Sequence, residues 1–177
     1  MNDSDELLDI VDASDRPIGR RWRSQLDQKG IDYYCRVVNA FLINPEGKLW
    51  LPRRTANKRR FPLCLDMSMG GYVVSGESYD EACQRELQEE LNLEIDRIAD
   101  YFLGYLTPVD DGVSAFMKVY EIPTDTTPDY NRNDFIEGFW WFPQEAFDRL
   151  RSGEPAKNDL LKLLEKFYGS MPDRSPF

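Results

Sequence analysis

The stretch GGYVVSGESYDEACQRELQEELNLEI, residues 70–95, decides how this chain is read. Ser78 and Glu81 make the Ser-x-x-Glu pattern of a capping box, in which side chains and backbone N–H groups satisfy each other at a helix start. The spacing predicts a helix over Tyr79–Leu91. At about 100° per residue, Cys83, Leu87 and Leu91 share one stripe of that helix, while Glu86, Glu89 and Glu90 fill the neighbouring sector. Three acids therefore border the face that packs on the core. Like charges three and four residues apart repel by about 0.2–0.5 kcal/mol at a surface, and by more when partly desolvated. A divalent cation reverses that sign, and carboxylate oxygens suit a hard ion such as Mg2+ or Mn2+. Taken alone, RELQEEL also fits an ordinary solvated helix face.

Working outward, LDMSMGGYVV reads as extended chain broken by Gly70 and Gly71. YYCRVVNAFLIN (33–44) and KLWLPRR (48–54) are β-rich runs separated by PEG, which predicts an antiparallel hairpin. Nearer the start, LLDIVD reads as a short strand, SDRP as a turn, and IGRRWRSQLDQKG as a polar strand or short helix ending at Gly30. Beyond the acidic helix, DYFLGYLTPV and VSAFMKVYEI are strand candidates joined by DDG, and EGFWWF is a third that ends at Pro143. PQEAFDRLRSG and NDLLKLLEKFYG predict two closing helices, and the ending, about residues 170–177, is expected to fray. This order of elements implies an α/β protein with a mixed sheet covered by helices.

A length of 177 residues at 41% hydrophobic composition suits one domain, here residues 1–177 with a lead-in over about 1–30. The net charge of −10 and pI near 4.6 disfavour binding to extended nucleic acid. No apolar run approaches the roughly 20 residues needed to span a bilayer, and MNDSDELLDIVD lacks the basic start and apolar block of a signal peptide. The expectation is a cytoplasmic protein with no membrane partner. Cys35, Cys64 and Cys83 are odd in number and widely spaced, so they are read as reduced, buried thiols. Histidine is absent, which excludes Ser-His and Cys-His pairs and imidazole metal sites and leaves carboxylates, Lys and Arg to do any chemistry. PRRTANKRRFP reverses the overall charge locally with Arg53, Arg54, Lys58, Arg59 and Arg60, which suggests anion capture, though a solvated basic loop has the same composition. Trp50, Phe61, Tyr72, Tyr105, Trp140 and Trp141 offer either core packing or a stacking surface for a base.

The wider pattern sharpens this. Gly71, five residues, Glu77, seven residues and then Arg85-Glu86-Leu87-Gln88-Glu89-Glu90-Leu91-Asn92-Leu93 resembles the Nudix box of the Nudix hydrolase superfamily, over residues 71–93. Its departure is Asn92 in place of Gly at the helix end, and Asn is the next-best residue for a left-handed terminus. The resemblance implies a Nudix-type α/β/α sandwich with a mixed β-sheet between helices. It implies that Glu86, Glu89 and Glu90 hold Mg2+ or Mn2+ with a backbone carbonyl near Gly70 or Gly71. It further implies that Arg85 and Glu77 position those carboxylates and that Glu86 accepts the proton.

WLPRRTANKRRFPLCLDMSMGG is similar to the branch of the superfamily that contains isopentenyl-diphosphate isomerases and related hydrolases. That similarity implies diphosphate contacts from Arg54 and Lys58, with Arg53 grouped beside them. Isomerase activity depends on a cysteine just before the box and on histidine metal ligands, and this chain has Gly70 and Tyr72 there and no histidine, so a hydrolase is expected. Asp134, six residues before Trp140, resembles a distal acidic position used by some members, with Glu137 as its competitor. With EGFWWFPQEAF matching the closing strand and helix, the likeness covers residues 7–165. The expected function is metal-dependent cleavage of the P–O–P linkage of a small-molecule nucleoside di- or triphosphate or related derivative. Two alternatives stay open: a non-catalytic nucleotide-binding module, and a hydrolase of non-nucleotide diphosphates such as isoprenoid compounds. A homodimer is also left open, because one chain carries no readable interface.

Overall fold

The computed structural model describes residues 5–26 and 33–169. In chain order they form β1 (Leu7–Val11), β2 (Pro17–Trp22), β3 (Arg36–Ile43), β4 (Leu49–Arg54), β5 (Met69–Tyr72) and α1 (Tyr79–Leu91). There follow β6 (Phe102–Leu106), α2 (Pro108–Asp111), β7 (Phe116–Pro123), β8 (Phe135–Trp141), α3 (Pro143–Arg151) and α4 (Leu160–Tyr168). The main sheet runs β6-β7-β3-β4-β8 with β5 also paired to β3, and β1-β2 is a separate hairpin. The β3-β7 pair is parallel and the other pairs are antiparallel, so the sheet is mixed as expected. The frayed tail and the end of the lead-in at Gly30 fall on residues outside those described, while the earlier lead-in forms β1, β2 and a 3-10 turn over Arg23–Gln25.

Alternation along β3 builds the two cores. Val38, Ala40 and Leu42 face one side and pack with Ala82, Cys83, Leu87 and Leu91 of α1. Phe41 faces the other side and packs with Phe147 of α3 and with Leu160, Leu163 and Leu164 of α4. Helices thus cover both faces, giving the α/β/α sandwich. Cys83 is buried in the first core, whereas Cys35 and Cys64 are half-buried, so the expectation of three buried thiols holds for Cys83 alone.

The β3-β4 hairpin departs from its expected form. The turn closes as PEG suggests, with the Gly47 N–H donating to the Asn44 carbonyl at 2.9 Å, but the ladder between the strands has a single partner pair, Ile43↔Leu49. Beyond it the strands fork. One extended stretch crosses the fork: Arg53 and Leu65 form a bridge on β4, and residues 69–72 then pair with β3. Between those attachments Ser68, fully buried, donates to the Trp50 carbonyl of β4 at 2.5 Å and accepts from the Leu42 N–H of β3 at 2.8 Å. A hydroxyl can do both at once because it carries a donor and two lone pairs. The strand expected over DYFLGYLTPV also stops early, at Leu106. Thr107 caps α2 by accepting from the Asp110 N–H at 3.0 Å, and Pro108 occupies its first turn, a helix start written inside the supposed strand.

Candidate active site

The acidic helix has the expected ends. Ser78 accepts from the Glu81 N–H at 3.2 Å and the Glu81 carboxylate accepts from the Ser78 N–H at 2.8 Å. Asn92 closes α1 in the left-handed region at φ 52°, the conformation for which Gly is otherwise favoured. Glu86 and Glu90 are buried, at 7% and 8% exposure, and Glu89 faces outward.

Strand β5 meets α1 through its two glycines, which look to opposite faces. A Cβ on Gly71 would lie 2.0 Å from the Glu86 carboxylate, so only glycine lets that acid lie against the strand. The Gly70 N–H donates to Glu90 Oε2 at 3.1 Å. On the opposite face, a Cβ on Gly70 would lie 2.7 Å from Asn39 Oδ1 and 3.4 Å from Lys157 Nζ.

Arg85 ties the region together. It donates to both oxygens of Glu77, at 2.8 and 3.0 Å, to the Tyr72 carbonyl at 2.9 Å and to Glu86 Oε1 at 2.7 Å. Glu77 in turn accepts from the Val74 N–H at 3.2 Å. The guanidinium therefore spans helix, strand and the intervening loop with the planar multi-donor geometry that Lys lacks.

Burial dominates the electrostatics. Desolvation pushes Glu86 up to about 7 despite the opposing pull of Arg85. It lifts Glu90 well above the usual carboxylate range, helped by the nearby charges of Glu86 and Asp66. Among the described residues no three of these acids are already gathered in ligating geometry: Glu86 leans on Arg85 and Glu90 on the Gly70 amide. The donor set still fits a hard divalent ion, because it offers carboxylate oxygens in a chain that has no histidine, and the ion would displace the protons that burial favours.

Arg54, Lys58 and Arg60 form a cationic wall in a cavity of about 1100 Å³ that Glu86, Glu89 and Glu90 also line. Arg54 is buried and donates to Asp66 Oδ2 at 2.6 Å and to the Arg60 carbonyl at 3.3 Å. Lys58 pairs with Asp134, and both line the cavity. The expected phosphate contact and the expected distal acid are thus brought together. Arg53 and Glu137 are not among the lining residues. Adjacent residues of a strand face opposite ways, and Arg53 instead pairs with Glu137 at 2.8 Å and Glu154 at 2.8 Å. Of the aromatic candidates, Phe61 and Tyr72 line the cavity, while Trp50 is fully buried in the core.

Several lining residues escaped the sequence reading. Glu6 and Arg23 come from the β1-β2 region, where they pair at 2.8 Å and Arg23 lies 5.0 Å over the Tyr72 ring. Asn39, Lys157 and Asp159 approach from the α4 side of β5, and Asp66, which does not itself line the cavity, is buried against Arg54. No local pattern marks them, since each reaches the site through long-range packing. For Arg53 against Arg54 a signal existed in the alternation of β4, where Trp50 and Arg54 share a parity.

Comparison with known proteins identifies the family and the fold. The NUDIX domain model matches residues 33–164. An uncharacterized Nudix hydrolase of Nostoc sp. is 58% identical over 165 residues, covering 93% of this chain and 97% of its own. A Nudix hydrolase of Deinococcus radiodurans is 44% identical over 165 residues, covering 93% of this chain and 95% of its own. A crystal structure from Deinococcus radiodurans superposes with a TM-score of 0.84 at 42% identity, covering 92% of this chain and 99% of that one. The matched segment takes in β5, all of α1 and the cationic wall, and on that footing the chain belongs to the Nudix family.

Proposed function

We propose that the protein hydrolyses the P–O–P linkage of a nucleoside di- or triphosphate, or of a related nucleoside diphosphate derivative, with Mg2+ or Mn2+. The observation that carries this reading is the presence, in the lining of one cavity, of buried Glu86 and Glu90 together with Arg54 and Lys58. Glu86, Glu89 and Glu90 would hold the ion, with a backbone carbonyl of Gly70 or Gly71. When bound, the ion supplies Lewis acidity and neutralises charge on the phosphates.

The chain's own residues do the rest. Glu86, held up at about 7, is matched to taking the proton of a water that attacks phosphorus as the bridging P–O bond breaks. Arg85 fixes one Glu86 oxygen and Glu77 fixes Arg85, which holds the acid in one rotamer. Arg54 and Lys58 orient the phosphates, with Asp134 releasing Lys58 to the substrate. Phe61 and Tyr72 supply aromatic surface at the same cavity.

The test is phosphate-product release from nucleoside di- and triphosphates, nucleotide sugars and isoprenyl diphosphates, each with Mg2+, Mn2+ or EDTA. Turnover of a nucleoside compound that EDTA abolishes is expected. Turnover confined to isoprenyl diphosphates moves the assignment to non-nucleotide substrates. Silence across the panel with nucleotide binding retained makes the protein a binding module instead.

A further inference from the structure

The stretch that crosses the fork carries an acid that the proposed chemistry leaves unused. Asp66 is 1% exposed. Its Oδ2 accepts from Arg54 Nη1 at 2.6 Å, and its Oδ1 accepts from the Met67 N–H at 2.9 Å and lies 3.3 Å from Lys157 Nζ. One buried carboxylate therefore serves two cations that come from distant parts of the chain, and both of them line the cavity.

Lys157 is not there by side-chain reach alone. The Leu65 N–H donates to the Pro155 carbonyl at 2.8 Å and the Lys157 N–H donates to the Leu65 carbonyl at 2.9 Å. These bonds make a parallel bridge between Leu65 and Ala156, so the connection from α3 to α4 is fixed to the backbone that carries Asp66. A carboxylate neutralised by Arg54 needs no second cation, and adding one gives the Asp66–Arg54–Lys157 cluster one net positive charge. The Lys157 side chain keeps 26% exposure, and its ammonium has three N–H groups with which to use it.

We infer that Lys157 is a further contact for substrate phosphate, and that Asp66 is a positioning residue that aims both Lys157 and Arg54 into the cavity. The inference rests on the diphosphate reading above. It adds that substrate charge is met directly from the α4 side of β5, where Lys157 lies beside Gly70, as well as through the ion held on the α1 side, where Gly71 admits Glu86.

The test compares Lys157→Met, Lys157→Arg and Asp66→Asn with the wild-type protein, on whichever diphosphate the wild type turns over. Lys157→Met is expected to raise KM about tenfold with kcat changed less than about twofold, and Lys157→Arg to restore most of the loss. Asp66→Asn is expected to raise KM further by releasing both cations. It also breaks a buried pair, so its fold is checked by circular dichroism, and Lys157→Met, at a part-exposed position, carries the test if Asp66→Asn fails to fold. Unchanged KM in Lys157→Met overturns the inference while leaving the hydrolase standing. A wild type that turns over nothing overturns the hydrolase instead, and calorimetry with inorganic pyrophosphate then decides: about tenfold weaker binding to Lys157→Met supports the contact, and equal binding, or none to either protein, overturns it.

Discussion

At the scale of single residues, Glu86 and Glu90 are expensive to keep. A carboxylate buried against backbone destabilises its own charged form, and among the described residues Glu86 shares Arg85 with Glu77 while Glu90 leans on the Gly70 amide. Residues that serve only the fold would be better apolar here, so the cost points to function. Glu90→Gln and Glu89→Gln are expected to lower kcat by about two orders of magnitude or more, with the helical circular dichroism signal unchanged. Near-normal turnover in either variant removes the metal-cage role. These acids were legible in the sequence because their signal is local: six residues of one helix show which side chains share a sector. Lys157 was not legible, because its place beside Asp66 depends on a bridge between Leu65 and Ala156. A linear reading has no means of pairing segments that far apart without an alternation or turn signal to join them.

At the scale of elements, α1 is the best-read part of the chain, with both ends where the capping signals put them. Asn92 is the informative departure from the family pattern. It holds φ 52° and its side chain accepts from Gln88 Nε2 at 2.9 Å, so the left-handed turn keeps a local hydrogen bond that glycine cannot make. Asn92→Ala is expected to cost about 1 kcal/mol, because alanine pays the left-handed penalty without compensation. Asn92→Gly is expected to stay within about 0.5 kcal/mol of wild type, as relief of backbone strain offsets the lost bond and the freer unfolded chain. Urea midpoints at constant slope separate the two. The β3-β4 hairpin was legible as two strands and a turn, but its fork was not. Strand propensity reports that a segment is extended and says nothing about which neighbour takes its free edge.

For the molecule as a whole, the site couples stability to pH. Glu86 is raised from 4.5 to about 7 and Glu90 is raised as well, so the folded state holds protons that the unfolded state has released. The stability that Glu86 contributes is fully present below about 4.5 and is lost as pH rises through about 7, and that of Glu90 is lost in the same direction. In EDTA the melting temperature is therefore expected to fall across that window, by an amount on the order of a few kcal/mol in stability. Mg2+ is expected to raise the melting temperature at the upper end and to do little at the lower end, where the carboxylates are protonated. Asp12, Glu81 and Asp111 are shifted the other way by hydrogen bonds, so their contribution is lost only as pH falls below the ordinary carboxylate range and does not mask the effect. A melting temperature flat from pH 5 to 8 in EDTA, read by thermal denaturation, would contradict the burial of the pair.

The stretch that crosses the fork has a consequence for how such a chain can vary. It is attached to β4 at Leu65, touches both strands at Ser68 and is attached to β3 from Met69 onward. Because side chains alternate faces at every step, losing or gaining one residue between those attachments slides β5 along β3 or exchanges the faces of Gly70 and Gly71. Either change brings a side chain to where the Glu86 carboxylate now lies, or takes the Gly70 amide away from Glu90. This segment can accept new letters at some positions, but an insertion or deletion of a single codon within it would dismantle the acidic site and also displace Met67 or Met69 from the core that each fills.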